Sequence, residues 1–247
     1  GSMMFVMVPR ASASAVRINE VLDTPAAIAD RVSADAKTSD GNRPALPKGT
    51  VEFDRVTFSY PGAEQPAVCD LTFTARPGEV TAIIGGTGSG KTTLINLIPR
   101  FYDPDSGSVR IDGVDVRDMT QKELRAKIGL VPQKAVLFTG TVADNIRYGK
   151  EDADEDEIRR AAEIAQAAEF IEQMPDGYGS VVQQGGANLS GGQKQRLSIA
   201  RALVRKPDIY LFDDSFSALD YKTDAKLRAA LKRETKEATV IIVAQRV

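Results

Sequence analysis

The 247-residue chain contains no histidine. That removes the usual general base near neutral pH and the commonest metal ligand. A single cysteine, Cys69, excludes an internal disulfide and fits a reducing compartment; alone, it reads as a small packed hydrophobe. Charge of one sign is lacking too: the net charge is −2, which excludes the strongly basic surface of a typical nucleic-acid binder. There is no long hydrophobic run. The stretch "MFVMVP" near the start falls far short of the ~20 residues a membrane crossing needs, and no cleavage site comes after it that would make it a signal peptide. It reads as a short packed segment, or as the cut end of a helix lying mostly outside this chain. Internal repeats are absent. With 42% hydrophobic and 27% charged residues, the composition is that of a globular protein able to bury a sizeable core.

Gly1 and Ser2 precede Met3 and read as an expression scar. Residues 10–30, "RASASAVRINEVLDTPAAIAD", are expected to be helical up to Leu22. The polar stretch "SADAKTSDGNRPALPKGT" comes next and clusters Ser, Asp, Gly and Pro as linkers do. Then "TVEFDRVTFSY" alternates like a strand and "LTFTA" repeats the pattern after a turn. "GEVTAIIG" is a continuous apolar run stopped by glycines, the mark of a central strand buried on both faces. "KTTLINLIPRFY" has helical spacing, and "GSVRIDGVDV" is a strand with an Asp112-Gly113 turn. Residues from about 134 to 206 read as mainly helical, with the acidic run at 151–157 favoured by the dipole at a helix start. "DIYLFD" and "ATVIIVA" return to buried strands. The sum is an α/β core with a helical insertion.

Three motifs carry chemistry. The stretch "GGTGSGKT" comprises Gly85, Gly86, Thr87, Gly88, Ser89, Gly90, Lys91 and Thr92, with Thr93 next in the chain. It fits G-x-x-x-x-G-K-[ST] between a strand and a helix, the context of a phosphate-binding loop. Its glycines let backbone N–H groups turn inward around phosphates. Lys91 would bridge the β- and γ-phosphates and Thr92 would offer its hydroxyl to Mg²⁺. "YLFDD" ends a second apolar run in Asp213 and Asp214, and a strand-end acid such as Asp213 supplies the Mg²⁺-binding carboxylate in such proteins. "LSGGQ" comprises Leu189, Ser190, Gly191, Gly192 and Gln193. A capping box explains its serine and glutamine but not its glycines, each of which lowers helix stability by up to about 1 kcal/mol. Close approach of an anion to the backbone would explain them.

Together these motifs resemble the nucleotide-binding domain of an exporter-type ABC (ATP-binding cassette) transporter, over residues from about 50 to the end. The resemblance implies a P-loop NTPase core, a mostly parallel sheet flanked by helices. An antiparallel β subdomain and a helical subdomain carrying the signature motif complete the expected α/β fold. It implies ATP and Mg²⁺ as ligands and ATP hydrolysis coupled to export. Tyr60 matches the aromatic that stacks on adenine. Gln133, in "LVPQKAVLFTGTVADNI", matches the glutamine that reaches Mg²⁺ and the attacking water. Ser217, Ala218, Leu219 and Asp220 match a loop that crosses the dimer interface. Ser190 and the Gly191 and Gly192 amides would contact the γ-phosphate held by an opposite domain, two domains pairing head to tail. Residues 3–24 resemble the segment joining the last transmembrane helix to this domain, with 25–49 as linker and 50–247 as the domain proper. A transmembrane domain fused upstream, a cytoplasmic-face location and no nucleic-acid partner are implied by the same resemblance.

The chain departs from the family pattern in three places. Asp214 stands where active members have a general-base glutamate, and one methylene withdraws the carboxylate by roughly 1 Å, a misplacement that can cost about a hundredfold. Gln245 stands where the family has a histidine; its amide can still donate a hydrogen bond but carries no charge. Gln184 replaces a glutamate ahead of the signature. These changes favour one half of an asymmetric bacterial heterodimer, with a degenerate site of its own and a signature motif that completes the partner's. The alternatives are a homodimer with slow hydrolysis, or a soluble ABC-type ATPase acting on nucleic acid or the ribosome. A kinase or GTPase fits less well, since neither carries LSGGQ ahead of the second acidic strand.

Overall fold

The computed structural model describes residues 2–9, 14–19, 46–84 and 90–244, the first two segments and Ile84 by their backbone alone. Strands β1 (Ser2–Pro9), β2 (Ser14–Asn19), β3 (Val51–Phe58), β4 (Val68–Ala75) and β5 (Val80–Ile84) come first. Next are helix α1 (Lys91–Leu97), β6 (Ser106–Ile111), β7 (Val114–Asp115), α2 (Gln121–Ala126) and β8 (Ile128–Val131). The helical region holds β9 (Gly140–Thr141), α3 (Val142–Arg147), α4 (Glu155–Ile164), α5 (Ala168–Gln173), β10 (Val181–Val182) and α6 (Gly191–Val204). The chain then returns through β11 (Ile209–Asp213), α7 (Tyr221–Glu234) and β12 (Thr239–Ala244).

The main sheet runs β7-β6-β3-β4-β2-β1-β5-β12-β11-β8. Its β5-β12-β11-β8 part is parallel, with Ile241 opposite Thr81 and Leu211 opposite both Ile241 and Leu130. These strands are the continuous apolar runs of the sequence because both faces are covered: β12 is buried along its whole length and β11 everywhere but Asp213. The β7-β6-β3-β4 part is antiparallel and alternates in burial. The Asp112-Gly113 turn has both residues at positive φ, 56° and 82°, which glycine and aspartate tolerate best. Two apolar clusters result. One joins the antiparallel strands to α1 around Phe53, Leu94 and Ile111; the other joins α3, α4 and α6 to Tyr210, Phe212 and Ile242.

Several expectations are corrected. Over the described residues 14–19 of the expected helix the chain is instead strand β2: β1 pairs antiparallel with β5 and with β2, and β2 touches β4 at Ile18 and Val68. The physical reason lies in β5, whose second edge β12 leaves unpaired, and an open edge recruits an extended apolar segment more readily than a helix. Cys69 is exposed rather than packed, because it faces outward on β4 beside buried Val68. Helix α1 stops at Leu97 rather than running to Tyr102, since Pro99 cannot donate to it and Arg100 turns left-handed at φ 60°. The long acidic helix is two, α4 and α5, separated at Gln166 with φ 62°. Of the expected linker 25–49, residues 25–45 lie outside the described residues. Among the described residues no helix is long and apolar enough to cross a membrane.

Candidate nucleotide site

The parallel strands all point their carboxyl ends at one edge, where open α/β sheets bind ligands. Register places Asp213 opposite Val243, and Val243 opposite Ile83. The carboxyl ends of β5, β8, β11 and β12 therefore lie side by side. Residues 85–89 and Gln245 come directly after β5 and β12 in sequence but lie outside the described residues.

Lys91 is the first residue of α1, after Gly90 at φ 84°, and its side chain is buried at 8% exposure. Burial lowers its pKa, while Asp214 and then Asp213 oppose that shift. Asp213 is half-buried, and its carboxyl is pushed up by burial and by the charge of Asp214. Lys91 and a hydrogen bond from the Thr92 side chain pull it back. Two crowded carboxylates against one ammonium leave a local excess of negative charge on the Asp213 side. A divalent cation there would relieve it, and Mg²⁺ is held by one or two carboxylates together with phosphates rather than by an all-protein cage. Asp213 and Thr92 fit that donor set, while Lys91 suits the phosphates.

Asp214 has φ 48°, a left-handed conformation that aspartate tolerates far better than most residues. Its backbone N–H donates to the Val243 carbonyl at 2.6 Å, and its carboxylate accepts from Gln133 Nε2 at 3.3 Å. Gln133, exposed just beyond β8, is thus brought to the tip of β11, as the motifs require. Buried Ser215 donates to the Val131 carbonyl at 2.6 Å, tying the segment after β11 to the end of β8.

Tyr60, expected to stack on adenine, is packed among aromatic neighbours. It is 4% exposed, its hydroxyl lies 2.7 Å from Thr93 Oγ1, and its ring sits edge-on to Phe58 and Tyr102. Among the described residues the ring belongs to an aromatic cluster with Phe58 and Tyr102. Thr93, expected among the ATP contacts, is buried and faces that tyrosine.

The second constellation is the start of α6. Ser190 caps it: Gln193 N–H donates to Ser190 Oγ at 3.1 Å, and Ser190 N–H donates to Gln193 Oε1 at 2.9 Å. Both halves of the capping box are present. The two glycines differ. A Cβ on Gly192 would lie 2.9 Å from the Ala218 carbonyl oxygen, so packing within the chain already demands glycine there. A Cβ on exposed Gly191 would meet only the Ala218 side chain at 3.4 Å, an ordinary contact. Packing within the chain therefore accounts for the residue type at Gly192 but not at Gly191, while the backbone N–H of either could still meet an anion. Half-buried Leu189 packs on the helical cluster. Exposed Gln184 stands in a short 3₁₀ turn over 184–186. Ser217, Ala218, Leu219 and Asp220 form the loop against this helix tip, and Asp220 caps α7 by accepting from the Thr223 N–H at 2.7 Å.

Sequence reading passed over Gln195. Its side chain is buried, and it bonds the Gln133 carbonyl and the 217–218 segment together. The available signal was a polar residue three before Ser198 and seven before Ala202, on the buried face of a helix. A cavity of about 850 Å³ lies at the other end of the strands by Asp208 and Tyr210 and contains none of these residues.

The ABC transporter family model matches residues 68–217, and the chain belongs to that family. It is 49% identical over 249 residues to an uncharacterised ABC transporter ATP-binding protein of Mycobacterium tuberculosis, covering 100% of this chain and 41% of that protein. It is 46% identical over 209 residues to an ATP-dependent lipid A-core flippase of Chromobacterium violaceum, covering 84% and 36%. A β-(1→2)glucan export ATP-binding/permease protein of Rhodopseudomonas palustris is 49% identical over 226 residues, covering 92% and 36%. Among solved structures, a bacterial Atm1-family ABC exporter with ATP bound superposes with a TM-score of 0.77 at 42% identity, over 83% of this chain and 36% of that one. The chain thus spans about two fifths or less of these relatives. The fold is the α/β P-loop NTPase-like ABC fold, with an antiparallel β subdomain and helices.

Proposed function

We propose that this chain is the ATP-binding domain of an ABC exporter. It binds Mg-ATP, pairs head to tail with a second such domain, and powers export by a membrane domain fused ahead of it, at the cytoplasmic face. The observation that carries this reading is the convergence of Lys91, Asp213, Asp214 and Gln133 at one sheet edge, tied within the chain to the LSGGQ helix. The relatives whose names combine ATP binding with a permease, or describe a flippase, support the fused arrangement. Their two cargoes, a glucan and lipid A core, differ chemically, so what this chain contributes is the ATP-driven step and not cargo choice.

When bound, Mg²⁺ supplies neutralisation of charge on the transferring phosphoryl group. Asp213 and Thr92 would hold it, Lys91 would hold the phosphates together with the motif residues Gly85, Gly86, Thr87, Gly88, Ser89 and Gly90, and Gln133 would orient water beside Asp214. In our reading this site is degenerate. Asp214 is a methylene short of the glutamate that serves as base, and Gln245 replaces the histidine. Ser190, Gly191 and Gly192 then complete the competent site of a non-identical partner domain. A second reading, a homodimer with slow hydrolysis, gains support from the contact between Gln133 and Asp214, which keeps an acceptor near where a water would be activated.

Hydrolysis by the purified chain at saturating Mg-ATP tests the choice. Binding with turnover barely above background is expected. Adding Asp214→Glu and Gln245→His together raises the rate well beyond either change alone. Brisk turnover by the unaltered chain favours the homodimer and sinks the degenerate reading.

A further inference from the structure

Three segments with different jobs meet around one buried amide. The Gln195 side chain, 5% exposed, has its polar atoms all engaged. Nε2 donates to the Gln133 carbonyl at 3.3 Å and to Ser217 Oγ at 3.0 Å, and Oε1 accepts from the Ala218 N–H at 2.9 Å. Gln195 stands on the second turn of α6, directly behind the Ser190 cap. Ala218 in turn closes against Gly192, leaving no room for a Cβ. The other end of the Gln133 residue reaches Asp214 through its own side chain. One amide thus spans bonds 62 and 22 residues long in sequence, between the segment that senses this chain's nucleotide and the two that face outward.

We propose that Gln195 is a positioning residue that makes the helix tip and the 217–220 loop respond to nucleotide at the chain's own site. A shift of the backbone at Gln133 drags the Nε2 bond, and because Gln195 stands one turn behind the Ser190 cap on a well-buried helix, the tip and Ala218 move as one body. A buried amide suits this role because a broken bond leaves the Gln195 nitrogen or oxygen, shielded from water, without its partner, so the bonds hold together rather than yield. The role extends the function proposed above and rests on it.

Hydrogen exchange on the full chain, with and without Mg-ATP, tests the link. In the unaltered chain Mg-ATP is expected to slow exchange at 130–134 and also at 189–195 and 215–220. In Gln195→Ala the slowing at 130–134 persists with unchanged Mg-ATP affinity, while that at 189–195 and 215–220 is lost. Gln195→Glu, which keeps an acceptor for the Ala218 N–H but no donor for the Gln133 carbonyl, gives the same split if the alanine variant does not fold. An equal spread of protection in the variants, or affinity falling with it, overturns the positioning role alone. Absence of any Mg-ATP effect on the unaltered chain overturns the function proposed above and this role with it.

Discussion

At the tip of β11 two carboxylates, a buried lysine and a threonine hydroxyl crowd together, whereas from Leu189 to Gln193 the tip of α6 carries no charge. In the first constellation Lys91 is buried and Asp213 half-buried, and the pKa values of these two are displaced by burial and by neighbouring charge. The second is largely exposed and relaxed, its polar groups satisfied by a capping box. A charged and strained site is arranged to receive counter-charge, since perturbed ionisable groups gather where function demands them. A neutral helix tip with a bare Gly191 has no such demand of its own and acquires a purpose only when an anion is brought to it. The contrast matches a division in which one half grips nucleotide and the other is presented to a neighbour.

Lys91→Ala tests the contrast most severely. Removing the buried ammonium is expected to weaken Mg-ATP binding about a hundredfold, the scale of losing one member of a buried charged pair, read by titration with a fluorescent ATP analogue. Near-normal affinity would place the phosphates elsewhere. The glycines come next. Gly192→Ala forces its Cβ onto the Ala218 carbonyl, and overpacking of this kind costs roughly 1–3 kcal/mol, so its thermal midpoint falls by several degrees. Gly191→Ala fits without a clash and leaves the midpoint unchanged, yet abolishes ATP-dependent association of the chain. If the two variants behave alike, the tip is not split between packing and ligand as argued.

Asp213 sharpens the charged half through pH. Its carboxyl is raised by burial and by Asp214. For an acid raised on folding, the stabilising contribution is full below the ordinary carboxylate pKa and is lost as pH rises through the folded value. At neutral pH the ionised group therefore weighs against the ligand-free fold. Asp213→Asn is expected to raise the ligand-free thermal midpoint by a few degrees near pH 7 and by less near pH 4, while erasing the further rise that Mg-ATP gives the unaltered chain. A lower midpoint at neutral pH would show that the carboxylate is satisfied without its cation.

What the sequence disclosed depended on how local the physics is. The runs that became β11 and β12 were readable because burial on both faces leaves uninterrupted apolar residues, and the Ser190 cap because its partner stands three residues away. Properties set by distant partners stayed hidden. Tyr60 carries the motif aromatic, but its burial is decided by Phe58, Thr93 and Tyr102. The strand state of Ser2–Pro9 depends on the free edge of β5, and the outward turn of Cys69 on the register of β4. Gln195 was invisible for the same reason: its bonds reach residues 62 and 22 positions away.

The smallest effect separates two roles that Ser190 combines. As a cap it satisfies the Gln193 N–H, and Ser190→Ala should cost about 1 kcal/mol, a drop of roughly 2–4 °C in the thermal midpoint for a domain of this size. Ser190→Asp restores an N-cap acceptor and adds a charge that the start of a helix favours, so its midpoint returns to that of the unaltered chain. Toward an incoming triphosphate, however, the same carboxylate is repulsive. Ser190→Asp should fold as well as the parent and still fail to associate in the presence of Mg-ATP, measured by sedimentation. If association survives with aspartate at the cap, the anion does not approach this tip, and the contrast between a site that holds charge and one that waits for it is lost.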